Sequence, residues 1–189
     1  MNFRGRILAC KLFAQNGNQT SSTQLRVPLP AMDRAVRVYA ETVTTAIRKI
    51  ELPTPGIGKL RSDALADGYD FMEALFEDWA TGANRFDAAG EVLLGCFDGD
   101  VLVAVGGLNI DPFANDPTVG RVRRVYVRPA WRNRGIGRAL VAALVEKAQR
   151  HFRRVRLRAE NADAARLYER MGFEPTTEPD ATHSTNLGG

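Results

Sequence analysis

The spacing of apolar positions changes several times along the chain, and each change marks an element. Over residues 62–80, Leu65, Tyr69, Met72, Leu75, Phe76 and Trp79 recur at intervals of three and four, which predicts amphipathic helix, divided in two by Gly68. Before it, residues 46–52 alternate imperfectly and run into Pro53, Pro55, Gly56 and Gly58, a first core strand followed by a loop. Residues 91–97 and 101–110 are apolar and rich in β-branched side chains, and Asp98-Gly99 between them is a hairpin signal, so an antiparallel pair is expected. Val122, Val125 and Val127 mark a further strand, ended by Pro129, which lacks an N–H to donate. Residues 137–149 return to helical spacing through Leu140, Val141, Leu144, Val145 and Ala148. Val155, Leu157 and Ala159 then alternate with arginines, and residues 161–171 read as a helix before Phe173. Strand, helix, strand, helix after a hairpin predicts an α/β (α+β) domain whose mixed sheet ends in a parallel crossover unit.

Length fits one such domain: 189 residues, 44% apolar, bury a single core. Residues 1–44 read as an N-terminal extension and 45–189 as the folded domain. Within the extension, residues 15–23 are polar and small, which predicts a partly flexible linker. Residues 31–45 place Ala35, Val38, Tyr39 and Thr42 on one face, the pattern of an appended helix. No run approaches the ~18 apolar residues of a membrane span, so a soluble cytoplasmic protein without a membrane partner is expected. Cys10 and Cys96 are too few for a disulfide framework and lack the paired spacing of a zinc site; no metal is expected.

Charge divides the chain. Residues 121–170 hold 15 Lys+Arg against 4 Asp+Glu, whereas the rest holds 11 against 18. The basic part fits a polyanionic partner. The acidic part, with Asp63, Asp67, Asp70, Glu73, Glu77 and Asp78, hints at a cationic one, although an amphipathic helix needs a polar face in any case. No helix-turn-helix, zinc or aromatic RNA signature accompanies the arginines, so nucleic acid is not the expected partner.

The chemistry concentrates where the strand ending at Pro129 meets the helix after Gly137. A turn carrying Gly135 and Gly137 before a helix presents free backbone N–H groups and the positive end of the helix dipole, a setting for a pyrophosphate. Arg132, Arg134 and Arg138 add charge-assisted donors. A Walker loop is excluded because Leu60 follows Gly58-Lys59, and a dinucleotide fingerprint because Leu140 stands where its third glycine belongs.

Val125-Tyr126-Val127-Arg128-Pro129 followed by Arg132-x-x-Gly135-x-Gly137 resembles the acetyl-CoA signature of the Gcn5-related N-acetyltransferase (GNAT) superfamily. A second segment of that family is matched by residues 161–173, from Asn161 through Leu167-Tyr168 to Gly172-Phe173, and the likeness spans about residues 45–187. The resemblance implies a mixed central sheet of about six to seven strands flanked by helices, and acetyl transfer from acetyl-CoA, an acyl-donor cosubstrate, to a primary amine of a small molecule or peptide (EC 2.3.1.-). It implies that the strand before the turn splays from its neighbour and that main-chain groups of Val125, Tyr126 and Val127 bond the pantetheine arm. Arg132, Asn133, Arg134, Gly135, Ile136, Gly137 and Arg138 would hold the pyrophosphate. Many relatives are dimers, which leaves a homodimer open.

By the same resemblance Tyr168 is the acid that protonates the leaving thiolate, and Asn161 caps its helix and contacts the arm. On spacing alone Tyr168 equally fits the core, beside Ala164, Ala165 and Met171, and Gly172 fits a helix C-cap. Many relatives carry a glutamate on the strand before the turn; here that stretch reads Gly120-Arg121-Val122-Arg123-Arg124, with no acid. Glu160, Asp111 and Asp116 are the carboxylates nearest in sequence, and none is assigned as base. Gly106-Gly107 and Asn109 are candidates for the acceptor cleft, and His183, in a last strand expected over residues 180–183, is a further candidate base. The missing glutamate also admits an acyl-CoA-binding sensor or degenerate enzyme.

Overall fold

The computed structural model describes residues 45–188. The linker expected at 15–23, the helix expected over 31–45 up to its last residue, and Cys10 lie outside the described residues. Among the described residues one seven-stranded sheet has the order β1-β2-β3-β4-β5-β7-β6. Its strands are β1 (Thr45–Lys49), β2 (Val92–Asp98), β3 (Val101–Ile110), β4 (Val119–Val127), β5 (Arg154–Leu157), β6 (Glu174–Pro175) and β7 (His183–Asn186). The helices are α1 (Ile57–Ala66), α2 (Phe71–Thr81), α3 (Ile136–Ala148) and α4 (Ala162–Glu169).

β2 and β3 pair antiparallel across the turn at Asp98-Gly99, as the hairpin signal predicts. Both are buried along nearly their whole length because both faces are covered, which explains their continuous apolar runs. One face packs under α3, where Leu140, Val141, Leu144 and Ala148 meet Val103, Leu108 and Val155. The other face packs under α1 and α2, where Leu60, Ala64, Met72 and Leu75 meet Leu93, Leu102 and Val105. From β4 the chain crosses through α3 to β5, which lies parallel to β4. β7 then runs antiparallel between β5 and β6.

Several boundaries differ from expectation. α1 starts at Ile57, not near Ser62, so Gly58 lies inside the helix; burial of Ile57, Leu60 and Ala64 outweighs a glycine's cost of about 1 kcal/mol. Leu65, expected on the apolar face, is instead exposed. β1 ends at Lys49 rather than Leu52; Ile50 N–H still donates to Leu93 O of β2 at 3.0 Å, and its side chain packs with Ile57 and Leu60. Ala159 falls beyond β5, and the last strand is His183–Asn186, not residues 180–183. The break at Gly68 is where the sequence places it, between α1 and α2. No helix among the described residues is long and apolar enough to cross a membrane.

Candidate active site

The parallel pairing of β4 and β5 extends only from Val119–Arg154 to Val122–Leu157. Beyond that the strands part, and a cleft of about 990 Å³ opens between them, bounded by the turn before α3 on one side and by α4 on the other. A bulge at Arg124, whose φ is +58°, bends β4 at this point. Arg128 N–H donates to Val103 O at 3.0 Å, toward β3. Strand alternation therefore turns the main-chain groups of Val127 and Val125 to the open side. The splay required for an extended arm is present, and Val125, Tyr126 and Val127 line it.

After β4 the chain makes a short 3-10 turn at Pro129–Trp131, and Asn133 adopts a left-handed conformation before the N-cap of α3. That N-cap is Gly135 at φ +78°, where a side chain would be strained, and a Cβ there would meet nothing within 4 Å. Ala139 N–H makes the first helical bond, to Gly135 O at 3.0 Å, so the amides at Ile136, Gly137 and Arg138 have no acceptor within the helix. Arg132, Asn133, Gly135, Ile136, Gly137 and Arg138 all line the cleft; Arg134 does not. Arg132 is already engaged, its Nε on Val127 O at 2.9 Å and its Nη2 on the Asp67 carboxylate, with the guanidinium over the Tyr126 ring.

The acidic residues of α1 and α2 have a use that the sequence does not reveal. Asp67 accepts from the Tyr126 hydroxyl at 2.7 Å as well as from Arg132, and these two bonds hold its carboxyl below the ordinary range. Asp63 binds Arg128 at 2.8 Å and Lys59 at 2.7 Å, Asp78 binds Arg124 at 3.0 Å, and Glu73 binds Arg61. Asp63, Asp67 and Asp78 are thus occupied within the protein. They balance the arginines of β4 and of the turn.

Across the cleft, Asn161 caps α4, its Oδ1 accepting from Ala164 N–H at 2.9 Å. Its Nδ2 donates to the Tyr69 hydroxyl at 2.8 Å, bridging to the α1–α2 loop. α4 ends with bonds from Gly172 N–H to Glu169 O and from Phe173 N–H to Tyr168 O, which satisfy its last carbonyls. Tyr168 is 6% exposed, with Phe173 edge-on at 5.8 Å, yet it lines the cleft, so the core and site readings hold together. Burial first, then the charge of Glu160, pushes its phenol up to about 12, so it stays protonated at neutral pH.

Other candidates do not reach the cleft. Asp111 has no exposed side-chain surface and lies between Arg121, at 3.4 Å, and Arg156, at 3.3 Å. Asp116 closes a turn on Thr118. His183 is buried, its Nδ1 2.8 Å from the Thr182 hydroxyl and its Nε2 3.5 Å from Glu169. Gly106 and Gly107 give no access to a substrate: a Cβ at Gly107 would fall 2.3 Å from the Phe86 ring, and one at Gly106 3.1 Å from Leu144. Asn109 is buried and donates to Ile110 O at 2.7 Å. Of the three sequence-near carboxylates, only Glu160 lines the cleft. Sequence reasoning missed Tyr69, Phe71, Phe113, Arg158 and Arg170, which line it too. Tyr69 lay in a helical stripe, so its spacing read as core.

A model of the Acetyltransferase (GNAT) family matches residues 49–173. The chain belongs to this family. Among solved GNAT-like folds, an acetyltransferase-class protein from Exiguobacterium sp. 255-15 aligns with a TM-score of 0.68 at 24% identity, covering 75% of this chain and 93% of that one. The ribosomal-protein-S18-alanine N-acetyltransferase of Escherichia coli aligns at 0.57 and 17%, covering 77% and 95%. An acetyltransferase-class protein of Salmonella typhimurium, solved with its cofactor acetyl-CoA, also aligns at 0.57 and 17%, covering 76% and 94%. An uncharacterised N-acetyltransferase of Methanocaldococcus jannaschii is 37% identical over 59 residues, 30% of this chain. The match spans only 26% of that relative's length. Within the GNAT fold, the seven-stranded mixed sheet and the opening between β4 and β5 carry the candidate site.

Proposed function

We propose that residues 45–189 form a GNAT domain that transfers an acetyl group from acetyl-CoA to a primary amine by direct attack, in the cytoplasm, with residues 1–44 as an extension. The observation that carries this reading is the continuity of one cleft from the free amides of α3 to the Tyr168 phenol. The amides at Ile136, Gly137 and Arg138, with the Arg138 guanidinium, bind the pyrophosphate, and the open space at Gly135 lets it approach the backbone. Main-chain groups of Val125 and Val127 hold the pantetheine arm, and an N–H on that edge polarises the thioester carbonyl. Asn161 contacts the arm from the other side. Arg132 sets the turn through Asp67 and Val127 O and adds positive charge; Arg134 contributes at most from outside the cleft.

The neutral amine attacks the carbonyl carbon, the C–S bond breaks, and the thiolate takes the Tyr168 proton. The proton lost by the new amide nitrogen passes to Glu160 or to water and restores the phenol. Supporting this assignment, the phenol is held protonated at neutral pH and Glu160 lines the same cleft.

Amine-dependent thiol release from acetyl-CoA, across polyamines, amino acids, aminoglycosides and peptides, is the direct test. Tight acetyl-CoA binding with no turnover on any amine would replace this reading by a second, an acyl-CoA-binding sensor. That alternative is favoured by Arg124, which pairs with Asp78 on the strand where many relatives carry a catalytic acid.

A further inference from the structure

Four guanidinium groups crowd the acceptor side of β4 and β5: Arg121, Arg123, Arg124 and Arg156. Three of them are matched. Arg121 has Asp111 and the Asp180 carbonyl, Arg156 has Asp111 and Glu178, and Arg124 has Asp78. Arg123 has no hydrogen-bond or ion-pair partner among the described residues, although it lies half-buried in the cleft wall, one residue past the last β4–β5 pair. Burial and the neighbouring Arg124 push its guanidinium down from its ordinary value, more than the charges of Asp78 and Asp111 hold it up. A half-buried arginine facing a cleft without an anion incurs desolvation that a bound anion would offset.

Of the two carboxylates that line the cleft, Asp163 is paired with Arg166 and Glu160 has no ion pair among the described residues; those of the facing α1–α2 wall are largely taken. Asp63, Asp67 and Asp78 are bound to Arg128, Arg132 and Arg124, so that wall attracts a cation weakly. Exposed Arg158 adds a second positive charge to the cleft. Phe113, 53% exposed with Arg121 stacked at 4.9 Å from its ring centroid, supplies an apolar surface at the same mouth.

We propose that the acceptor is an amine that also carries an oxyanion, a carboxylate or a phosphate, and that Arg123 is the residue that reads it. A guanidinium presents paired donors that fit either group. The assignment rests on the acetyl-transfer reading of this cleft. It departs from the expectation of a purely cationic acceptor, because Asp63, Asp67 and Asp78 are bound within the protein.

The test compares amino acids with their amides, and O-phosphoethanolamine with ethanolamine, by kcat/KM for thiol release in the wild type and in Arg123→Gln. One charge-assisted paired contact predicts a preference of about 10–100-fold for the anionic member of a pair. The pair that shows it tells carboxylate from phosphate. Arg123→Gln should bring the ratio near one by lowering kcat/KM for the anionic member, and Arg123→Lys should give an intermediate ratio. Equal use of both members, or preference for amides or polyamines, overturns the proposal, as does an anion preference that survives Arg123→Gln. If no amine is acetylated, N-acetyl amino acids and N-acetylphosphoethanolamine are titrated calorimetrically into the CoA-loaded protein. Binding lost in Arg123→Gln upholds the anion site while the transfer reading fails, and no binding overturns both.

Discussion

At the α3 end of the cleft, Arg138 faces the opening beside unbonded backbone amides, and neither it nor Arg134 has an ion pair among the described residues. At the β4 end, Arg121 and Arg156 share the buried carboxylate of Asp111, and Arg124 is tied to Asp78. Both ends are rich in arginine, and they differ in what matches it. At the α3 end Arg134 and Arg138 are left unmatched, and only Arg132 is tied, to Asp67. At the β4 end the protein cancels most of the charge and leaves Arg123. Arginine count is thus a poor guide to site chemistry, because a guanidinium with an internal partner contributes structure and only an unmatched one offers recognition.

The group between the two ends gives the largest expected effect. Tyr168→Phe should lower kcat by about 10²–10⁴-fold, the range for general acid catalysis, with little change in acetyl-CoA affinity measured by calorimetry. Because the phenol is pushed up to about 12, the wild-type rate should show no loss from its ionisation between pH 7 and 10. An alkaline fall near pH 8 that disappears in the Phe variant would mean that the phenol is far less buried in the working enzyme.

Next in size is the charge balance of the β4 end. Asp111→Ala leaves Arg121 and Arg156 facing each other without their shared carboxylate, and breaking a buried pair costs about 3–5 kcal/mol. Urea unfolding should register that loss. A change under about 1 kcal/mol would mean that the two arginines find water or other partners, and the contrast between the two ends would fade.

Much of this layout is legible in the sequence. The hairpin, the turn at Gly135, the cap at Asn161 and the helix end at Gly172 depend on residues within a few positions of one another, so short-range spacing carries them. The charge matching was not legible, since Asp63, Asp67 and Asp78 find Arg128, Arg132 and Arg124 across 46 to 65 residues of chain. For the same reason Asp111 stands among the carboxylates near the site in sequence although it is buried away from it, and Gly107 reads as part of an acceptor cleft rather than as room for Phe86. Tertiary contact decides both, and neither leaves a local pattern.

The α3 end can be perturbed without touching charge. Ala at Gly135 would sit at φ +78° with open space around its Cβ, so its cost is conformational, about 1–2 kcal/mol. If the turn relaxes to relieve that strain, acetyl-CoA binding should weaken about tenfold while the acceptor KM holds. A matching rise in both constants would show that the two ends are not separable.

The smallest effect tests whether the partner of Arg132 restrains it. Asp67→Asn removes a negative charge beside the turn and frees the guanidinium, so acetyl-CoA should bind slightly more tightly, by less than about 1 kcal/mol, with the gain reduced in high salt. The same carboxylate gives a pH signature. Its folded pKa lies below the ordinary value, so the stability it adds is present above the unfolded carboxylate's pKa and is lost as the pH falls through the folded one. Wild-type and Asp67→Asn unfolding free energies should therefore differ at pH 7 and converge in acid. Convergence without any gain in acetyl-CoA affinity would make Asp67 a brace for Tyr126 and Arg132 alone, and the restraint on the α3 end would then be one of position and not of charge.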